Sequence, residues 1–101
     1  MDENFELSSI NKLAKSYLKD IYPVITDIQI VQNGDRYDSY VKTTIPENIT
    51  MKNYWSSEYA DMDFSYMMAY HLPHIGKYLG INIKPNNAYV FDVDGKLIGE
   101  F

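Results

Sequence analysis

Two alternating apolar segments separated by Asn33-Gly34 constrain this chain more than any other feature in it. Asn-Gly between β-forming runs is the strongest short hairpin signal, because both residues tolerate the positive φ of a tight turn. Residues 24–32 lead in and residues 36–45 lead out. A two-residue loop pairs Val31 with Arg36, Ile30 with Tyr37, Ile28 with Ser39 and Thr26 with Val41. That register sends Val24, Thr26, Ile28, Ile30, Tyr37, Val41 and Ile45 to one face, and Asp27, Gln29, Arg36, Asp38 and Lys42 to the other. Such a split is what a sheet buried on one side requires.

The apolar face of that hairpin needs a cover, and the flanking segments read as helices. A first helix is predicted from about residues 4–8 to 22. Ile10, Leu13, Ala14, Tyr17, Leu18 and Ile21 recur at helical spacing, Ser8 or Ser9 supplies a cap, and Pro23 stops the helix. A second is predicted over about residues 59–79, with Phe64, Met67, Met68, His71, Leu72, Ile75 and Leu79 on one face and Gly80 at its end. Pro73 falls inside this pattern and predicts a kink or a brief break. Asp94-Gly95 marks a second hairpin, residues 87–101, whose three-residue loop pairs Asp92 with Lys96 and Phe91 with Leu97. The expectation is a single α+β domain over residues 1–101. Its order is α-β-β-α-β-β, with an antiparallel sheet of two hairpins and two helices packed on one face.

Composition narrows what such a domain does. Fourteen acids against nine bases give a net charge of −5. Nucleic acid and anionic membranes are therefore poor partners, since both need a basic patch. A basic protein partner suits the charge, which would also steer the encounter. Cysteine is absent, which removes disulfides, thiolate zinc sites and cysteine catalysis. No apolar run approaches a membrane span and the acidic N-terminus does not read as a signal peptide, so a cytoplasmic location is expected.

Few residues suggest catalysis. His71 and His74 share one side of a helix at a spacing that metal ligands sometimes use, but Pro73 intervenes and no H-E-x-x-H pattern is present. The bland reading has His71 half-buried and His74 solvated. Asp35, Asp38, Asp92 and Asp94 flank turns, where aspartates bond their own backbone. No phosphate-binding glycine loop, nucleophile elbow or complete calcium loop occurs. No enzyme activity, cofactor or metal is expected. The alternatives are a small enzyme or metal-dependent protein using His71, His74 and Asp63, and a homo-oligomer pairing through an edge strand such as residues 36–45.

One segment remains. Between Lys52 and Lys77 there is no lysine or arginine, yet Glu58, Asp61 and Asp63 lie there with Tyr54, Trp55, Tyr59, Phe64, Tyr66 and Tyr70. Phe64 belongs to the buried helix face. The others are expected to form a protein-binding surface: Tyr54, Trp55, Glu58, Tyr59, Asp61, Asp63, Tyr66 and Tyr70. Rings supply contact area at low entropic cost and acids meet a basic partner. In composition the chain resembles the small acidic, tyrosine-rich immunity proteins that neutralise bacterial nuclease toxins, and phage-encoded inhibitors of host enzymes. That resemblance implies a non-catalytic inhibitor that occludes a basic cleft, with a toxin or nuclease as its partner.

Overall fold

The computed structural model describes residues 3–45 and 63–101. Its elements are α1 (Glu3–Ile21), β1 (Ile25–Asn33), β2 (Arg36–Thr43), α2 (Phe64–Leu79), β3 (Pro85–Phe91) and β4 (Leu97–Glu100). The predicted order α-β-β-α-β-β is present, as an α+β fold with one four-stranded sheet ordered β1-β2-β3-β4.

The sheet is mixed rather than antiparallel. β1 pairs β2 and β3 pairs β4 antiparallel, but β2 and β3 run parallel. The connection between them explains why. It contains α2, and a helical crossover returns the chain to the same end of the sheet, so the next strand runs in the same direction. β2 is consequently an interior strand with neighbours on both sides. Residues 36–45 therefore offer no free edge for the homo-oligomer considered above.

The first hairpin turns one residue later than expected. Asn33 pairs with Arg36, leaving Gly34 and Asp35 as the loop. Gly34 has φ 69° and no non-glycine residue among the described ones has positive φ, the pattern of a type II′ turn with glycine first. Ile30 thus faces Ser39 and Ile28 faces Val41. A bulge between Ile25 and Asp27 reverses the alternation at the start of β1. Ile25 becomes buried and Thr26 exposed, contrary to the simple period-two reading. The second hairpin has the expected form: Phe91 pairs with Leu97, the Asp92 N–H donates to the Lys96 carbonyl at 2.9 Å, and Gly95 has φ 84°.

Both helices cover one face. α1 packs mainly on β1 and α2 on β3. Ile10, Ala14 and Leu18 from α1 meet Ile28, Ile30 and Val41 from the sheet and Phe64, Met68, Leu72 and Ile75 from α2. Ser8 and Ser9 lie inside α1 and do not begin it. Asp63 caps α2, which continues as one helix through Pro73 and ends at Gly80, with φ 72°. There the Ile81 N–H donates to the Gly76 carbonyl at 2.9 Å, the closing bond of a Schellman motif. Gly76 has to be glycine because a Cβ would collide with the Ile81 carbonyl and crowd Ile83.

Two side chains finish the sheet. Asn11 of α1 reaches the outer edge of β1. Its Oδ1 accepts the Ile30 N–H at 2.7 Å and its Nδ2 donates to the Ile30 carbonyl at 2.9 Å. One amide stands in for a neighbouring strand. Asp38 seals the parallel join. Between Pro85 and Ala88 the register slips, and Asp38 Oδ1 accepts the Asn87 N–H at 3.0 Å and Asn86 Nδ2 at 2.9 Å; Oδ2 accepts Asn33 Nδ2 at 3.2 Å. Burial pushes the Asp38 carboxyl up, but these three donors together hold it below its ordinary value. Asp38 thus joins β3 to the end of β1 rather than bonding the backbone of its own turn. Replacing Asp38 with Ala strands the Asn87 N–H and is expected to cost about 2 kcal/mol of stability in urea unfolding; a loss below about 0.5 kcal/mol would show that the carboxylate is dispensable.

Candidate functional site

The eight residues of the expected binding surface divide sharply. Tyr54, Trp55, Glu58, Tyr59 and Asp61 lie outside the described residues. Asp63 is half-buried and committed to the start of α2, where Oδ1 accepts the Tyr66 N–H at 2.9 Å and the Ser65 hydroxyl at 3.1 Å. Its part is a helix cap. Tyr66 and Tyr70 are brought together. They stand one helical turn apart, with ring centroids 6.5 Å apart and planes within 17°.

These two tyrosines form the wall of a shallow groove of about 200 Å³ along the outer side of α2. Phe101, just beyond β4, sets its ring perpendicular to Tyr66 at 5.0 Å. His74 lies 5.1 Å from Tyr70. Pro73, Ala69 and Pro85 complete the lining. Phe101 is held there by the chain itself: its N–H and carbonyl both bond Ala88, at 2.8 and 3.2 Å, and its carbonyl also accepts Asn87 Nδ2 at 3.0 Å. Sequence reasoning did not find Phe101 or Pro85, because no local pattern places the end of the chain against α2.

A second aromatic surface was also missed. The sheet face turned away from the helices carries Tyr40, Tyr89 and Phe91. Tyr40 stacks on Tyr89 at 5.0 Å and lies near-parallel to Phe91 at 6.4 Å. Asp27, Gln29 and Lys42 join Tyr40 and Phe91 around a recess of about 370 Å³. Burial first, then the Asp38 and Glu100 carboxylates and Tyr40, push the Tyr89 phenol upward. The signal was available in strand parity: Tyr40 alternates in phase with Asp38 and Lys42, and Tyr89 and Phe91 flank the inward Val90. Lys15 of α1 pairs with Asp27 at 3.8 Å, but both side chains are exposed and the pair adds little stability.

The histidines part company. His71 is buried, not half-buried, and its Nε2 lies 2.8 Å from the Tyr22 hydroxyl, joining α2 to the end of α1. The Tyr17 and Tyr22 rings meet it edge-on. Burial, then the neighbouring His74, lowers its pKa to about 4. His74 is half-buried, with its ring centroid 6.3 Å from that of His71. Asp63 precedes His71 by about two turns, about 12 Å by helical rise. Among the described residues no group of three histidine, aspartate or glutamate side chains is arranged to hold a metal ion. Among the same residues, no helix is long and apolar enough to cross a membrane.

Comparison of the chain with protein-family profiles, with curated proteins and with solved structures finds no match. Its functional reading therefore rests on the chemistry of its own surfaces.

The buried histidine has a measurable consequence. Between about pH 6.5 and 4 the unfolded chain binds a proton at His71 and the folded chain does not, so stability falls as pH falls through that window. On going from pH 7 to pH 5, urea unfolding of the wild-type protein should lose about 2 kcal/mol more than that of His71→Gln. Equal losses in the two proteins would mean that His71 titrates normally.

Proposed function

We propose that this chain is a non-catalytic binding module that docks onto a basic surface of a partner protein and occludes it. The observation that carries the reading is the α2 groove. Half-buried Tyr66 and Tyr70 and the 47% exposed Phe101 surround a concave space on a chain of net charge −5. Tyrosine rings at the rim of a concavity are the usual anchors of protein interfaces, and excess negative charge speeds the approach of a basic partner. A basic catalytic cleft, such as that of a nuclease toxin, is the kind of surface this arrangement suits.

The same reading assigns Pro73 a bend in α2. Its ring crowds the Ala69 carbonyl one turn back, and a bend there would widen the groove between α2 and Phe101. Cysteine-free and acidic, the chain suits work in the cytoplasm.

The open sheet face favours a second reading. The stacked Tyr40 and Phe91, with Asp27, Gln29 and Lys42 beside them, have the make-up of a small-ligand site, apolar with a few polar groups. One experiment separates the two. Tagged wild-type, Tyr70→Ala and Tyr40→Ala proteins are used to capture partners from the native cell extract at low salt. The groove reading expects a stoichiometric basic protein released by about 0.5 M salt, captured about tenfold less well by Tyr70→Ala, and unaffected by Tyr40→Ala. Capture that is lost with Tyr40→Ala and kept with Tyr70→Ala would move the site to the sheet.

A further inference from the structure

The groove contains a backbone irregularity as well as rings. Pro73 has no N–H, so the carbonyl four residues earlier, that of Ala69, receives no helical hydrogen bond from it. Ala69 and Pro73 both line the groove. An amide carbonyl relieved of its helical donor and set among apolar groups favours a donor from outside the helix.

The rings add a second preference. Tyr66 and Tyr70 stand with their planes 17° apart, and Phe101 stands perpendicular to Tyr66 at 5.0 Å. Aromatic faces attract cations through their quadrupoles. Among the described residues, no lysine, arginine, aspartate or glutamate side chain lines the groove. No lysine or arginine among those lining residues therefore repels a cation, and the chain as a whole, at −5, draws one in. Acceptor, ring faces and charge select the same occupant, a cation that carries N–H donors.

Arginine fits this combination better than lysine. A planar guanidinium stacks on a ring with its face and donates from its edge at the same time. A lysine ammonium is a strongly hydrated point charge that gives up more water to do either. We propose that the α2 groove is a receptor for an arginine side chain of the partner, stacked against Tyr66 or Tyr70 and donating to the Ala69 carbonyl. This deepens the protein-binding reading and rests on it.

The test needs no partner protein. Nα-acetyl-arginine amide is titrated into the full chain and followed by NMR at the Tyr66, Tyr70 and Phe101 rings. Nα-acetyl-lysine amide and a short oligoproline are run in parallel. Saturable shifts at these rings are expected with arginine, at an affinity at least about fivefold above lysine, and weaker ones with oligoproline. Pro73→Ala and Pro73→Val each return an N–H to Ala69, and valine retains apolar bulk beside the ring wall. Both should weaken arginine binding about fivefold without lowering the melting temperature, so that unfolding does not explain the loss.

Several results would overturn the assignment. These are no saturable ring shifts up to about 0.1 M arginine amide, an equal response to lysine, a stronger response to oligoproline, or unchanged arginine binding in both Pro73 variants. Failure here with successful capture in the experiment above would reject arginine and leave the docking module standing. Failed capture with specific arginine binding would leave the groove a guanidinium site and reject the docking module.

Discussion

One carboxylate closes the irregular point in the join between the two halves of this sheet. β1 and β2 form one local hairpin and β3 and β4 another, and each is specified by its own turn. The join between them is non-local, parallel and irregular, because β3 advances three residues from Pro85 to Ala88 while β2 advances two from Tyr37 to Ser39. A slip in a ladder takes a backbone N–H out of regular pairing, and a buried N–H without an acceptor is costly. Asp38 takes up the Asn87 N–H, draws in Asn86 from β3, and ties the pair back to Asn33 at the end of β1. From that join follows the position of α2 over β3, and from the position of α2 the meeting of Tyr66 with Phe101.

The helices are fastened in complementary ways. α1 uses polar groups where it meets the sheet edge and the second helix: Asn11 on the Ile30 backbone and Tyr22, just past its end, on His71. Each contact is directional and sits beside apolar packing that by itself would tolerate sliding. α2 uses shape. Gly76 lets the chain after the helix pass close under it, and Phe64, Met67, Met68, Leu72 and Ile75 are almost fully buried. On the flank of α2, Tyr66 and Tyr70 pack half-buried against the border of that core beside half-buried His74, and Pro73 is exposed.

Much of this was legible in sequence. The element order, the buried faces of both helices, the left-handed Gly80 and the three-residue loop at Gly95 all follow from spacing and turn chemistry. Errors arose where a competing force was invisible in one dimension. Asn33-Gly34 marked the first turn, but the chain turns on Gly34-Asp35, because a type II′ turn needs its glycine first. Alternation alone puts Thr26 inside, and the bulge between Ile25 and Asp27 turns it outside. Asp38 and Asp63 read as a turn residue and a binding acid, whereas one ties β2 to β3 and the other caps α2. A carboxylate satisfies whichever N–H the fold brings to it, and sequence shows only the nearest candidates.

Local residue preferences set the parts: two helices, two hairpins, an apolar face for each, and an acidic, tyrosine-rich chain without cysteine. Those properties depend on residues within a turn or two of one another, where φ/ψ preference and side-chain periodicity act directly. The packing of distant elements set the parallel direction of β3, the burial of His71 against Tyr22, and which aromatic rings remain at the surface. Phe101 stands beside Tyr66, and Tyr40 beside Tyr89, although each pair is far apart along the chain. Their meeting depends on how α2 crosses from β2 to β3, and a crossover is selected by the packing of whole elements rather than by the preference of any residue within them.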